Sequence, residues 1–247
     1  MTGKAWKVTL IVLGIIAASL FIALAALAVQ MNGGIVNTIR NLKPRPDLND
    51  VAIKSDRKAL EAAIEGALQP IGTNRGFTAY ATSKDDRCYE GQNNYKVTEG
   101  FAHRCTLRLT RFYGFDGDFR QKMIDLEKTL IDAGWKNGLS YYPQASEHNM
   151  ENMMIDYYDR YYGRNYLTVD KIAAPIGYHT STLKLEIGWA EKETRDLSRL
   201  ESNQRIRSST QFYERHELQS ADQLFNKATQ DHRYFVGIAI YGHYFEN

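Results

Sequence analysis

The sequence predicts an α+β domain held behind a single N-terminal transmembrane helix, and three observations predict it. Val8–Val29 is a run of 22 residues without a charge. Cys105–Tyr113 and Leu183–Trp189 alternate apolar and polar residues, the period of a half-buried strand. Phe119–Ala133 repeats its apolar residues at intervals of four and three, the period of a helix with one buried face. Together they give a mostly antiparallel sheet of about five strands with two or three helices.

The apolar run has the length a bilayer requires, since a helix rising about 1.5 Å per residue crosses about 30 Å of hydrocarbon in roughly 20 residues. Its hydroxyls, Thr9 and Ser19, can bond back to carbonyls of the preceding turn, which leaves no polar group stranded in lipid. Ala17, Ala18, Ala25, Ala26 and Ala28 offer a small-residue face for another helix. A cleaved signal peptide is the competing reading, because Lys4 and Lys7 form a basic leader and Ala26-Leu27-Ala28 has the A-x-A form of a cleavage site. Signal cores run about 7–15 residues, so the length favours an uncleaved anchor. No cysteine lies in the region, which excludes lipoprotein processing. Basic residues flank the span on both sides, with Arg40, Lys43 and Arg45 following it. The signal-anchor form and the cysteine content place residues 1–7 in the cytoplasm and the rest outside the cell membrane.

The remaining chain follows in order. Residues 30–50 read as an extended stalk, with Gly33-Gly34 freeing the chain and Lys43-Pro44-Arg45-Pro46 favouring polyproline-like backbone. Residues 51–247 form the exported domain. A helix is expected at Ser55–Leu68, closed by Pro70 and Gly72. A short strand follows at Gly76–Thr82, then a polar loop, Ser83–Asn94, carrying Cys88. After the Cys105–Tyr113 strand, Phe115–Asp118 forms a turn and helix cap, and Gly134 stops the helix that follows. Leu139–Gly163 fits either a helix or a Tyr-rich loop. Tyr166–Ala173 and Leu183–Trp189 read as strands joined across a Pro175–Gly177 loop. The charged stretch Ala190–Glu217 reads as a solvated helix or a long excursion, and Ser220 with Gln223 as a capping box. Tyr234–Phe245 is apolar on both faces, the pattern of a strand inside a sheet.

The run FYGFDGDF…LEKTLIDAGW, following a cysteine pair, resembles uncharacterised membrane-anchored and secreted proteins of Gram-positive bacteria. The resemblance covers residues 85–136. It implies an exported domain and no particular chemistry.

Composition narrows the function. The chain has 31 basic and 29 acidic residues, so without Lys4 and Lys7 the exported part is neutral. Nucleic acid, which is bound by a basic surface, is therefore not an expected partner, and no nucleotide motif is present. Cys88 and Cys105 are expected to pair, closing a loop of the length for which a bridge contributes about 3 kcal/mol. The six histidines show no H-x-H or H-x-x-x-H spacing. No G-x-S-x-G elbow occurs, and no cofactor or metal is expected. The carboxylates Asp116, Asp118 and Glu186 suit a cap and a solvated face, and also suit paired-acid hydrolysis of an envelope glycan. Tyrosine numbers 16, and Tyr157, Tyr158, Tyr161, Tyr162 and Tyr166 form the candidate recognition cluster, because the ring gives contact area at low entropic cost. The expected function is binding of a membrane or envelope protein or another envelope component by an accessory subunit. The alternative is a carboxylate hydrolase.

Overall fold

The computed structural model describes residues 3–31, 33–72, 76–94, 96, 98–138, 176–191, 211–217 and 221–247. Helix α1 is Gly3–Met31 and α2 is Ile35–Asn41. The main fold adds α3 (Val51–Gly72), β1 (Phe77–Glu90), β2 (His103–Phe115), α4 (Phe119–Asp132), β3 (Lys136–Asn137), β4 (Ile176–His179), β5 (Lys184–Glu191), β6 (Gln211–Glu217), α5 (Ala221–Asp231) and β7 (Tyr234–Glu246). The strands make one antiparallel sheet in the order β3-β4-β5-β7-β2-β1-β6. The α+β class holds, with seven strands among the described residues rather than about five.

The chain divides into two compact units. One comprises Met1–Asp47, Tyr89–Arg104 and Glu246–Asn247, and the other Leu48–Cys88 and Cys105–Phe245. In the second, α3 contributes Ile64, Leu68 and Ile71 to a core with Phe119, Met123, Leu126 and Leu130 of α4. The sheet supplies Leu107 and Leu109 of β2, Leu185 and Ile187 of β5, and Val236, Ile238 and Ile240 of β7. Each such side chain removed from water contributes about 1.5–3 kcal/mol. The other face of β7 carries Phe235, which stacks on Phe112 at 5.5 Å and packs with Leu224, Phe225 and Ala228 of α5. Asp118 caps α4 by accepting from the Gln121 N–H at 3.1 Å, and Gly134 takes a φ of 86° beyond the helix end.

Several elements differ from expectation. The polar segment Ser83–Glu90 is strand, not loop. Its charges are matched: Lys84 pairs with Glu61, Asp85 with Arg87, and Asp86 with Arg57. A strand whose polar residues find partners on a neighbouring helix loses the alternation that identifies it. The first domain helix begins at Val51, four residues early, because Asp50 accepts from the Ala52 N–H at 2.7 Å. Ile176 and Gly177 open β4 rather than a loop, and Thr180–Leu183 forms the turn to β5. The end of the charged stretch, Gln211–Glu217, is strand β6 at the sheet edge. The expected stalk contains α2. Residues 139–175, with the Tyr166–Ala173 strand and the tyrosine cluster, lie outside the described residues, as do residues 192–210.

Cys88 and Cys105 form the expected disulfide, closing a separation of 17 residues between β1 and β2, and both are fully buried. Replacing both with serine should lower stability by about 3 kcal/mol. Urea denaturation of the full chain in detergent micelles measures this, and reduction of the native chain should give a similar loss.

Candidate functional site

The β4–β5 turn and the adjoining part of β7 form an open cavity of about 370 Å³ lined by His179, Thr180–Lys184 and Tyr241–His243. The turn is built by Thr180, whose backbone N–H donates to the Leu183 carbonyl at 2.9 Å while its hydroxyl accepts from the Leu183 N–H at 3.0 Å. Gly242 permits the close approach: a Cβ there would sit 2.9 Å from Leu60 Cδ1 and 3.1 Å from Leu183 Cδ2. Lys184 lies directly opposite Tyr241 in the β5–β7 register, so both side chains leave the same face of the sheet.

A hydrogen-bonded polar group continues from this cavity across three strands. Tyr241 donates to Glu186 at 3.0 Å, and Arg108 of β2 donates to the other oxygen of Glu186 at 2.9 Å. The Arg108 guanidinium lies 5.4 Å from the centre of the Tyr241 ring. His243 contacts the Thr106 hydroxyl at 3.0 Å through Nδ1, and His179 Nδ1 contacts the Gly138 carbonyl. The rim thus presents two imidazoles, the Lys184 ammonium and the hydroxyls of Ser181 and Thr182. Among the described residues its lining includes no carboxylate. Such a rim suits a carboxylate or carbonyl group on a ligand.

The three carboxylates weighed in the sequence each have a structural partner. Asp118 caps α4, and Glu186 is held by Arg108 and Tyr241. Asp116 accepts from the Arg233 backbone N–H at 2.8 Å and contacts His232 Nδ1 at 2.6 Å. Desolvation is the largest single influence and opposes its ionisation, but the two contacts and the His232 charge together outweigh it and hold the carboxyl below its ordinary value.

A second polar group is buried. Asp86 is fully inaccessible and accepts from the Tyr244 hydroxyl at 2.8 Å. Arg57 Nε of α3 forms a 2.7 Å ion pair with Asp86 whose direction falls short of a hydrogen bond. Burial raises the Asp86 carboxyl above its ordinary value, more than Tyr244 and Arg57 lower it. Tyr244 is raised by burial and then by Asp86, and its hydroxyl lies 3.6 Å from Cys88 Sγ. At the β6 edge, His216 bridges Asp85 at 2.8 Å and Glu214, while Arg87 reaches Asp85 and Glu214.

The expected disulfide residues are brought together, and Tyr157–Tyr166 lie outside the described residues. His179, Lys184, Tyr241 and His243 were not singled out as a group in the sequence. A signal was present: Tyr241 and His243, like Lys184 and Glu186, stand two apart on predicted strands and so share a face. No protein-family model, curated protein or solved structure matches the chain.

Asp86→Ala should cost about 3 kcal/mol, because it leaves a largely buried Arg57 uncompensated. Adding Arg57→Met to that variant should cost less than the two single changes summed. The raised carboxyl also sets a pH dependence. Its contribution to stability is complete below the unfolded carboxyl value and lost as pH rises through the higher folded value. Urea midpoints of the native chain minus those of Asp86→Asn should therefore fall as pH rises above about 4.

Proposed function

We propose that the chain is a single-pass membrane protein whose extracytoplasmic domain binds a protein or envelope component as an accessory subunit. In this reading residues 1–7 are cytoplasmic, α1 crosses the bilayer uncleaved, and the sheet domain works outside. The observation that carries it is the state of Leu13–Met31, whose mean hydropathy is 2.3 and of which none is buried within the fold. A soluble core helix buries such a surface. Here Leu20, Phe21 and Ile22 remain 63–74% exposed, and hydrocarbon is the environment that removes them from water.

The buried disulfide supports an oxidising compartment for the domain. Binding is supported by the β4–β5 cavity, a small concave site with converging donors and two exposed residues, Ser181 and Thr182, at its tip. Its size suits one acidic or carbonyl-bearing group of a larger partner.

A photo-reactive amino acid replacing Ser181 tests the reading in membranes of the organism that makes the protein. One discrete adduct is expected on irradiation, lost when Lys184→Glu reverses the charge at the rim. The same probe at Asp132, on α4, should give none. Equal adducts from both positions, or none from Ser181, would reject binding at this site.

A further inference from the structure

Helix α2 follows α1 through a tight turn. Gly33 and Gly34 have φ of 75° and 107°, and their N–H groups donate to the Gln30 and Val29 carbonyls at 3.0 and 2.8 Å. Glycine is required at 33 on two counts, since a Cβ there would also lie 2.7 Å from the Asn94 carbonyl oxygen. The turn sets the start of α2 directly after the end of the apolar helix.

At about 100° per residue, Ile35, Val36, Ile39 and Leu42 fall within an arc of about 120°. They are 67, 68, 59 and 77% exposed. The opposite side is taken up by the β1–β2 connection. Asn37, only 5% exposed, donates to the Thr98 hydroxyl at 3.0 Å and accepts from Arg40 at 2.6 Å. Arg40 also reaches Asn93 Oδ1 at 3.4 Å, and the Asn41 amide donates to the Asn93 carbonyl at 2.8 Å. This inverts the usual amphipathic helix of a soluble domain, which turns its apolar face inward and its polar face to water. The orientation is fixed by side-chain hydrogen bonds and leaves the apolar face outward.

We infer that α2 is an interfacial helix, with Ile35, Val36, Ile39 and Leu42 seated in the headgroup–acyl boundary of the bilayer that α1 spans. The occupant is lipid because the apolar face is continuous along the chain with a helix whose only suitable surroundings are hydrocarbon. A helix in that boundary buries its apolar face and leaves its polar face to water or protein, the arrangement seen here. Asn93 and Thr98 then hold the β1–β2 connection against the membrane-facing helix. This inference rests on the reading of α1 as a membrane span.

The test uses the full chain reconstituted in phosphatidylcholine–phosphatidylglycerol vesicles. The native cysteines are bridged, so Val36→Cys, Ile39→Cys, Thr38→Cys or Leu20→Cys supplies a single thiol for an environment-sensitive fluorophore. Nitroxide lipids carrying the spin label near the headgroup should quench positions 36 and 39 strongly and position 38 weakly. Position 20 should respond to a nitroxide near the bilayer midplane. If position 20 is quenched and positions 36 and 39 are not, the interfacial helix is wrong while the span stands. If 36 and 39 escape both lipid nitroxides and aqueous iodide, protein or a second copy covers the face, and lipid is rejected. No quenching at position 20 rejects the span, and this inference with it.

Discussion

The fold depends on β7 lying inside the sheet. Tyr234–Glu246 pairs with β5 on one side and β2 on the other. Its two faces serve different cores: Val236, Ile238 and Ile240 meet α3 and α4, while Phe235 meets α5. Tyr244 reaches the buried Asp86, and Tyr241 holds Glu186 beside the cavity. Without β7 the strands β5 and β2 have no common neighbour, and the β4–β5 turn has no surface to close upon. A strand apolar on both faces has no stable place except between two others, which is why its position follows from its composition.

The parts of the fold that were legible in the sequence are those where one physical demand set the pattern. Phe119–Asp132 shows a single buried stripe, a capping aspartate and a stop glycine. Lys184–Glu191 packs its apolar residues on one side and sets Lys184 and Glu186 on the other. Strand β1 met two demands at once. Lys84 and Asp86 turn toward α3 and are satisfied by Glu61 and Arg57, so charge appears on the side of the strand where apolar residues are expected. That pairing is long-range, and a local pattern cannot reveal it. Strand β6 is hidden for the same reason, with Glu214 and His216 matched to Arg87 and Asp85 across the sheet edge.

The site was legible in pieces. Tyr241 and His243 share a strand face, as do Lys184 and Glu186, but the register that sets Lys184 opposite Tyr241 is a tertiary fact. The segment that follows α1 was hidden differently. Its two prolines and paired glycines suggested an extended stalk, yet the glycines serve a tight turn, and Ile35–Asn41 is held helical by asparagines bonded to a connection more than 50 residues away. The disulfide was legible because two cysteines, in a domain expected to lie in an oxidising compartment, leave one pairing.

The interior position of β7 is tested most directly by amide hydrogen exchange on the full chain in micelles. The amides of Val236–Tyr241 should be among the last to exchange, together with those of β2, while the edge strand β6 exchanges early. Exchange of β7 as fast as β6 would contradict the account, because a strand that opens as readily as an edge cannot be what joins the two halves of the sheet.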